Sequence, residues 1–181
     1  MDLSKYDNSE YDPGAGRIKR STWYLINALI FHSWLFPHSG LKCYLLKIFG
    51  AKLGVGVVIK PRVNIKYPWN LQIGNYTWIG EGCWIDSLIK VVIGSNVCIS
   101  QDAYLLTGNH DYKDPCFGLI TSEIIIEDGV WVGAKCIVCP GTVMRTKSIL
   151  SVGSVLSGTS EENGIYQGNP AKLVRHRKMN T

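Results

Sequence analysis

A beat of six residues runs through most of this chain. From residue 73 it reads IGNYTW, IGEGCW and IDSLIK. After Val91 and Val92 it continues as IGSNVC, ISQDAY and LLTGNH. Following an interruption it resumes as IEDGVW, VGAKCI, VCPGTV, MRTKSI and LSVGSV, and weaker copies, LGVGVV, IKPRVN and IKYPWN, precede it. An aliphatic residue opens nearly every unit. A six-residue spacing carries that aliphatic around the surface of a 3.6-residue helix, so no single helical face results. The spacing suits one short strand plus one turn, and three such units close a triangular coil. Each coil buries its apolar side only against the coils above and below, so several must stack. The pattern predicts a mainly β chain, built as a single-stranded left-handed parallel β-helix over residues 51–159 with about five coils.

The opening aliphatics, among them Ile73, Ile79, Ile99, Ile126, Val132, Met144 and Leu150, should point inward and stack as ladders. The fifth position is small or β-branched (Thr77, Cys83, Val97, Ala103, Val130, Cys136, Thr142, Ser148, Ser154) and fits where the wall bends. This places Cys83 and Cys136 as buried small hydrophobes. The CIVC stretch at 136–139 has the spacing of a zinc half-site, but no second pair accompanies it and both cysteines fall inside the repeat. No metal is expected. The opening MDLSKYDNSEYDPG is polar and acidic, unlike a secretory leader. Reduced thiols in a cytoplasmic protein are therefore expected.

The ends differ from the middle. Residues 1–50 are read as a polar arm followed by a helical cap. Ser21 or Thr22 is the expected N-cap of a first helix, and Pro37 and Gly40 separate it from a second. The first helix is apolar nearly all round, from Trp23 to Phe36, and too short for a confident membrane span. It either caps the β-helix or also touches a membrane surface through residues 22–36, with Trp23, Leu29, Phe31 and Trp34 as docking side chains. At the other end, residues 160–181 are read as a loop and a short basic helix, with Asn169 as N-cap and Pro170 at the first helical position. A net charge of +5 suits an anionic partner such as a phosphorylated cofactor. No stripe of Lys and Arg interleaved with aromatics points to nucleic acid.

The beat breaks at TGNHDY, residues 107–112, where a histidine stands. The stretch 111–125 that follows is long for a β-helix connection, and long loops in compact domains are usually functional. It is expected to project from one coil and wall the site of a neighbouring subunit, with Tyr112 and Phe117 facing a bound ligand. Asp86, in WIDSL, lies one coil before His110 and is a candidate for holding an acceptor.

The repeat, GNHDY before the interruption, IEDGVWVGAKCIVCPGTV after it and GNPAKLVR near the end together resemble the hexapeptide-repeat O-acetyltransferases. FGAKLG and YPWNLQIG resemble the colanic acid biosynthesis acetyltransferases in particular, with the maltose and galactoside acetyltransferases more distant. The resemblance spans about residues 17 to 177. It implies acetyl-coenzyme A as donor, a sugar hydroxyl as acceptor and a homotrimer with active sites between subunits; the aromatic first helix adds a lipid-linked sugar as a candidate acceptor. His110 falls on the family's catalytic histidine. Trp131 matches a tryptophan lining the site, and Ala134 stands where more distant relatives carry a serine that touches coenzyme A. Val152 matches a small residue beside the pantetheine arm, and Lys172 and Arg175 match basic residues at the coenzyme phosphates. Where those relatives have Thr-Lys this chain has Ser157-Gly158, so one basic contact is absent. A sugar hydroxyl needs its proton removed as it attacks a thioester, and histidine suits that task because its ordinary pKa lies near neutrality. No covalent acyl-enzyme is required, and no cysteine has a His neighbour at hexapeptide register that would argue for one.

Other readings stay open on sequence. An acyltransferase acting on an amino acid or antibiotic would share these motifs, and a non-catalytic β-helix binding module would share the repeat. A metal-dependent hydratase needs converging histidines, and the β-helix supplies only His110.

Overall fold

A computed structural model describes residues 2–178 of the chain. Residues 179–181, the end of the expected C-terminal segment, lie outside the described residues. The body is a parallel β-helix with three faces. The first face stacks strands at 52–53, 71–73, 91–93, 124–126 and 143–144. The second stacks 58–59, 78–79, 98–99, 131–132, 149–150 and 164–168, and the third stacks 64–65, 84–86, 104–106, 137–138 and 155–156. Five coils are complete, and a sixth is begun where Thr159 bridges Val143.

The ladders follow from the beat. Ile59, Ile79, Ile99, Val132 and Leu150 pair in register along the second face, and all are buried. Each is worth roughly 1.5–3 kcal/mol against leaving it in water. Every small fifth-position residue named above is buried as well. The Cys83 and Cys136 thiols donate to the carbonyls of Ser100 (3.0 Å) and Ser151 (2.9 Å) on the next coil. Burial pushes Cys83 up to about 12 and raises Cys136 too, so both are inert.

Two corners of the triangle turn in one way. The fourth residue of each unit there takes a positive φ: Gly56, Tyr76, Asn96, Gly129 and Lys147 at one corner, Arg62, Gly82, Asp102, Lys135 and Gly153 at the next. The backbones of successive coils also approach closely. A Cβ on Gly133 would lie 2.7 Å from the Leu150 oxygen and the Val152 nitrogen.

The N-terminal segment forms helix α1 over Arg17–Ile26, a π turn over Asn27–Phe31 and helix α2 over Ser39–Ile48. They pack on the first coil. Trp23 Nε1 donates to the Ile65 carbonyl (2.8 Å), and Asn27 Nδ2 donates to Asn64 Oδ1 (2.6 Å). Helix α1 starts earlier than expected, with Gly16 rather than Ser21 or Thr22 at its cap, because the run Arg17–Arg20 is itself helical. Gly40 lies inside α2 and does not separate the helices. Of the side chains expected at a membrane surface, Trp23 and Phe31 are buried edge-to-face against each other, while Leu29 and Trp34 are exposed. Among the described residues no helix is long and apolar enough to cross a membrane.

The C-terminal segment is not the expected helix. Ala171–His176 is a strand that turns back on Gly164–Gly168 and pairs antiparallel with it. The last strand of a β-helix would otherwise end as an open edge, and the hairpin satisfies its backbone groups.

The close stacking gives a test. Gly133→Ala should lower the melting temperature clearly, since backbone must move. Gly40→Ala, which meets nothing within 4 Å, should be neutral or stabilise by up to about 1 kcal/mol. Thermal denaturation of both variants decides it.

Candidate active site

The third corner breaks the rule of the other two. In its first three coils the turn residues are Pro68, Leu88 and Gly108, and none takes a positive φ. Side chains hold these turns instead. Ser87 Oγ donates to the Tyr67 carbonyl (3.0 Å) and accepts the Tyr67 N–H (3.1 Å). Asn70 Nδ2 donates to the Ser87 (3.1 Å) and Leu88 (2.9 Å) carbonyls. The Leu88 N–H donates to Thr107 Oγ1 (3.0 Å), whose hydroxyl donates to the Asp86 carbonyl. The third of these coils leaves the β-helix at this corner. Gly108–His110 pairs antiparallel with Leu119–Thr121, so the excursion is a hairpin rooted at 107 and 122. It begins before and ends before the expected 111–125, because Ile124–Ile126 is already a first-face strand.

His110 closes the outgoing hairpin strand. Its Nδ1 lies 2.9 Å from the Phe117 carbonyl. A carbonyl only accepts, so Nδ1 carries the hydrogen and Nε2 is left as the nitrogen that can take a proton. The Phe117 ring lies parallel on the imidazole, with centroids 4.3 Å apart and planes 4° apart. Phe117 thus reaches His110 of its own chain by main chain and ring together, and its φ of 56° aims the carbonyl there. Asp111 plays no part in holding the ring. Its carboxylate accepts the Lys113 N–H (2.9 Å) and shapes the turn.

His110 and Asp86 line one cavity of about 440 Å³, with Lys66, Tyr67 and the N-terminal arm. Leu106 pairs with Asp86 one coil away, and His110 follows four residues later. The arm brings Tyr6 edge-on to His110, with ring centroids 5.7 Å apart. It is tied down by Tyr11 Oη donating to the Leu88 carbonyl (2.6 Å) and the Asp2 N–H donating to the Pro115 carbonyl (2.9 Å). The Asp86 side chain is only 8% exposed, and Lys66 Nζ stands 3.5 Å from its Oδ1. That oxygen is buried without a hydrogen-bond partner among the described residues. Burial raises the carboxyl above its ordinary value, and Lys66 opposes the rise.

The other expected residues lie elsewhere on the chain. Trp131 projects from the second face, half exposed, with Nε1 donating to Ser100 Oγ (2.9 Å). Ala134 and Val152 sit on the corner between the second and third faces, linked by the Gly153 N–H donating to the Ala134 carbonyl (2.9 Å). Ser157 is exposed at the third corner of the last complete coil. Lys172 and Arg175 are exposed on the C-terminal hairpin, opposite Gln167 and Ile165. Tyr112 is exposed at the hairpin tip and does not line the His110 cavity. Trp131, Ala134 and Val152 therefore occupy the second face and the corner after it, while His110 stands at the third corner. Lys66, Tyr6, Tyr11 and the Phe117 carbonyl were not singled out from sequence. Only Tyr67 and Lys66, one coil before Asp86 in the weak unit IKYPWN, carried a readable signal. Among the described residues no three His, Cys, Asp or Glu side chains gather as a metal site.

The chain belongs to the hexapeptide-repeat acetyltransferases. It is 32% identical over 184 aligned residues to the Escherichia coli K12 protein WcaF, assigned by name to colanic acid biosynthesis as an acetyltransferase, with 98% of this chain and 97% of that one covered. In fold it is similar to the hexapeptide-repeat acetyltransferase VCA0836 of Vibrio cholerae complexed with acetyl-coenzyme A, with a TM-score of 0.81, 22% identity and 93% of each chain covered. It is likewise similar to a galactoside acetyltransferase in complex with coenzyme A, with a TM-score of 0.78, 24% identity, and 88% of this chain and 80% of that one covered. No family model matches the chain.

The buried carboxyl of Asp86 gives a pH-dependent expectation. Its folded pKa is raised, so the folded state binds the proton more tightly and stability falls as pH rises through that pKa. Asp86→Asn removes this loss. It should raise the melting temperature at pH 7 and leave it nearly unchanged near pH 4, which thermal melts at both pH values can read.

Proposed function

We propose that the chain transfers an acetyl group from acetyl-coenzyme A to a hydroxyl of a sugar in a polysaccharide or glycan precursor, with His110 as general base. The carrying observation is the Nδ1–Phe117 carbonyl contact, which fixes the imidazole in the tautomer a base needs. The acceptor hydroxyl enters the cavity of His110 and Asp86, and the Asp86 carboxylate accepts a hydrogen bond from a neighbouring hydroxyl. Nε2 takes the proton of the attacking hydroxyl as its oxygen bonds to the thioester carbon. The tetrahedral intermediate collapses, the carbon–sulfur bond breaks, and the proton passes from His110 to the departing thiolate. The products are the acetyl ester and free coenzyme A. No acyl-enzyme forms on this route, and the buried Cys83 and Cys136 thiols are poor nucleophiles.

The coenzyme lies along the edge of Trp131, Ala134 and Val152, with Ser157 at its end and Lys172 and Arg175 at its phosphates. That edge and His110 sit at different corners of one triangle, so the reading requires a second copy to bring them together. A ring of three copies closes such a contact, one copy's histidine corner meeting its neighbour's coenzyme corner. The exposed Trp78 and Trp131 on the second face suit burial between copies. The enzyme is read as a cytoplasmic homotrimer. The relative assigned to colanic acid biosynthesis and the galactoside enzyme support a sugar acceptor over an amino acid or antibiotic.

Thiol release from acetyl-coenzyme A over a panel of sugars and sugar nucleotides tests this. His110→Ala should lose about a hundredfold or more in kcat while still binding acetyl-coenzyme A. Equal turnover in the two proteins would remove His110 from the chemistry.

A further inference from the structure

Two buried side-chain polar atoms among the described residues lack a hydrogen-bond partner, and they have opposite characters. Asp86 Oδ1 accepts and Arg20 Nε donates. Asp86 lines the His110 cavity. Arg20 lines a larger one, about 840 Å³, open to solvent between α1 and the third face. The two cavities share Lys66 and Tyr67 as a common wall. A cavity of the larger size falls in the range of small-molecule sites.

The larger cavity is one-sided in charge. Arg17, Arg20 and Lys66 line it, and no Asp or Glu does. Among the described residues neither Arg17 nor Arg20 is within salt-bridge distance of a carboxylate. Both arginines also stand in the first turn of α1, which holds no acidic residue. The helix dipole disfavours cations there, so this placement costs stability unless an anion sits against it. The rest of the wall is mainly apolar and aromatic, with Tyr24 and Trp84 as its exposed rings.

We infer that this cavity holds the diphosphate of a carrier-linked sugar and thereby presents the sugar to His110. The inference rests on the sugar acetyltransferase reading above and narrows its acceptor to sugar diphosphates. Phosphate oxygens accept charge-assisted hydrogen bonds from the guanidinium groups of Arg17 and Arg20, which line the cavity. The sugar lies past Lys66 and Tyr67, where one of its hydroxyls donates to the Asp86 carboxylate. The carrier lies against Tyr24 and Trp84. A polyprenyl chain and a nucleoside both satisfy that surface, and both carry the same diphosphate.

The test is calorimetric titration of the full chain in saturating acetyl-coenzyme A, which fills the coenzyme's own diphosphate site. The probes are farnesyl diphosphate and uridine diphosphate, with farnesol and uridine as phosphate-free controls. At least one diphosphate should bind tenfold or more tighter than its control. The Arg17→Gln/Arg20→Gln double variant should weaken it tenfold or more while acetyl-coenzyme A binding stays unchanged. Tyr24→Ala, at an exposed side chain, is a second variant that keeps the fold and should weaken the same probe. Preference for farnesyl diphosphate assigns a lipid carrier, and preference for uridine diphosphate a nucleoside. Failure of both probes to bind, or binding that the variants do not weaken, overturns the inference and leaves the acetyltransferase reading intact. Loss of acetyl-coenzyme A binding by the unaltered chain would instead strike that reading itself.

Discussion

Everything in this molecule depends on coils lying flat on one another. The backbone bonds between coils and the ladders of inward aliphatics cooperate only if each coil repeats the last without drift. Left-handed residues at two corners and small residues at the bends enforce that repetition. Tyr76, Arg62, Lys135 and Lys147 accept an uncommon conformation for their types to do so. The result is a rigid post on which a displaced side chain stays displaced. Where the third corner abandons the left-handed turn, Ser87, Thr107 and Asn70 replace it with side-chain hydrogen bonds. That corner can hold a buried carboxyl and send out a hairpin without unsettling its neighbours.

Much of this was legible in the residues. The first and fifth positions of each unit predicted the core side chain by side chain, including the two buried cysteines. The break at TGNHDY, with Asp86 one coil before it, put Asp86 and His110 near each other, and the two line one cavity. What escaped sequence reasoning was carried by main chain or by distant partners. The group that fixes the His110 tautomer is a carbonyl, and no residue type announces a carbonyl's direction. The tail read as a helix because Asn169-Pro170 satisfies a local helix start, yet the deciding factor was the open edge of Gly164–Gly168, a tertiary fact. Leu173 and Val174 were equally content in a strand.

The N-terminal segment is more than a lid on the stack. Its helices bury Trp23 and Phe31 against the first coil, and its arm brings Tyr6 beside His110. The same α1 that caps the core carries Arg17 and Arg20 toward the third face. Helix α1 buries Trp23 and leaves Tyr24 and Leu25 exposed, and Leu29, Trp34 and Leu35 after it are exposed too, which is why the apolar run from Trp23 to Phe36 could be read as a membrane-facing element from sequence.

We propose a site divided between copies, with the base from one and the coenzyme edge from the next. Co-expression of His110→Ala with Val152→Trp, each inactive alone, tests this directly. Val152 is well exposed, so the larger side chain blocks the coenzyme edge without entering the core. Random assembly of the two chains leaves about one site in four with both contributions intact, so the mixture should regain roughly a quarter of normal turnover. Turnover no greater than that of the two parents would contradict a shared site and would place the base and the coenzyme within one chain.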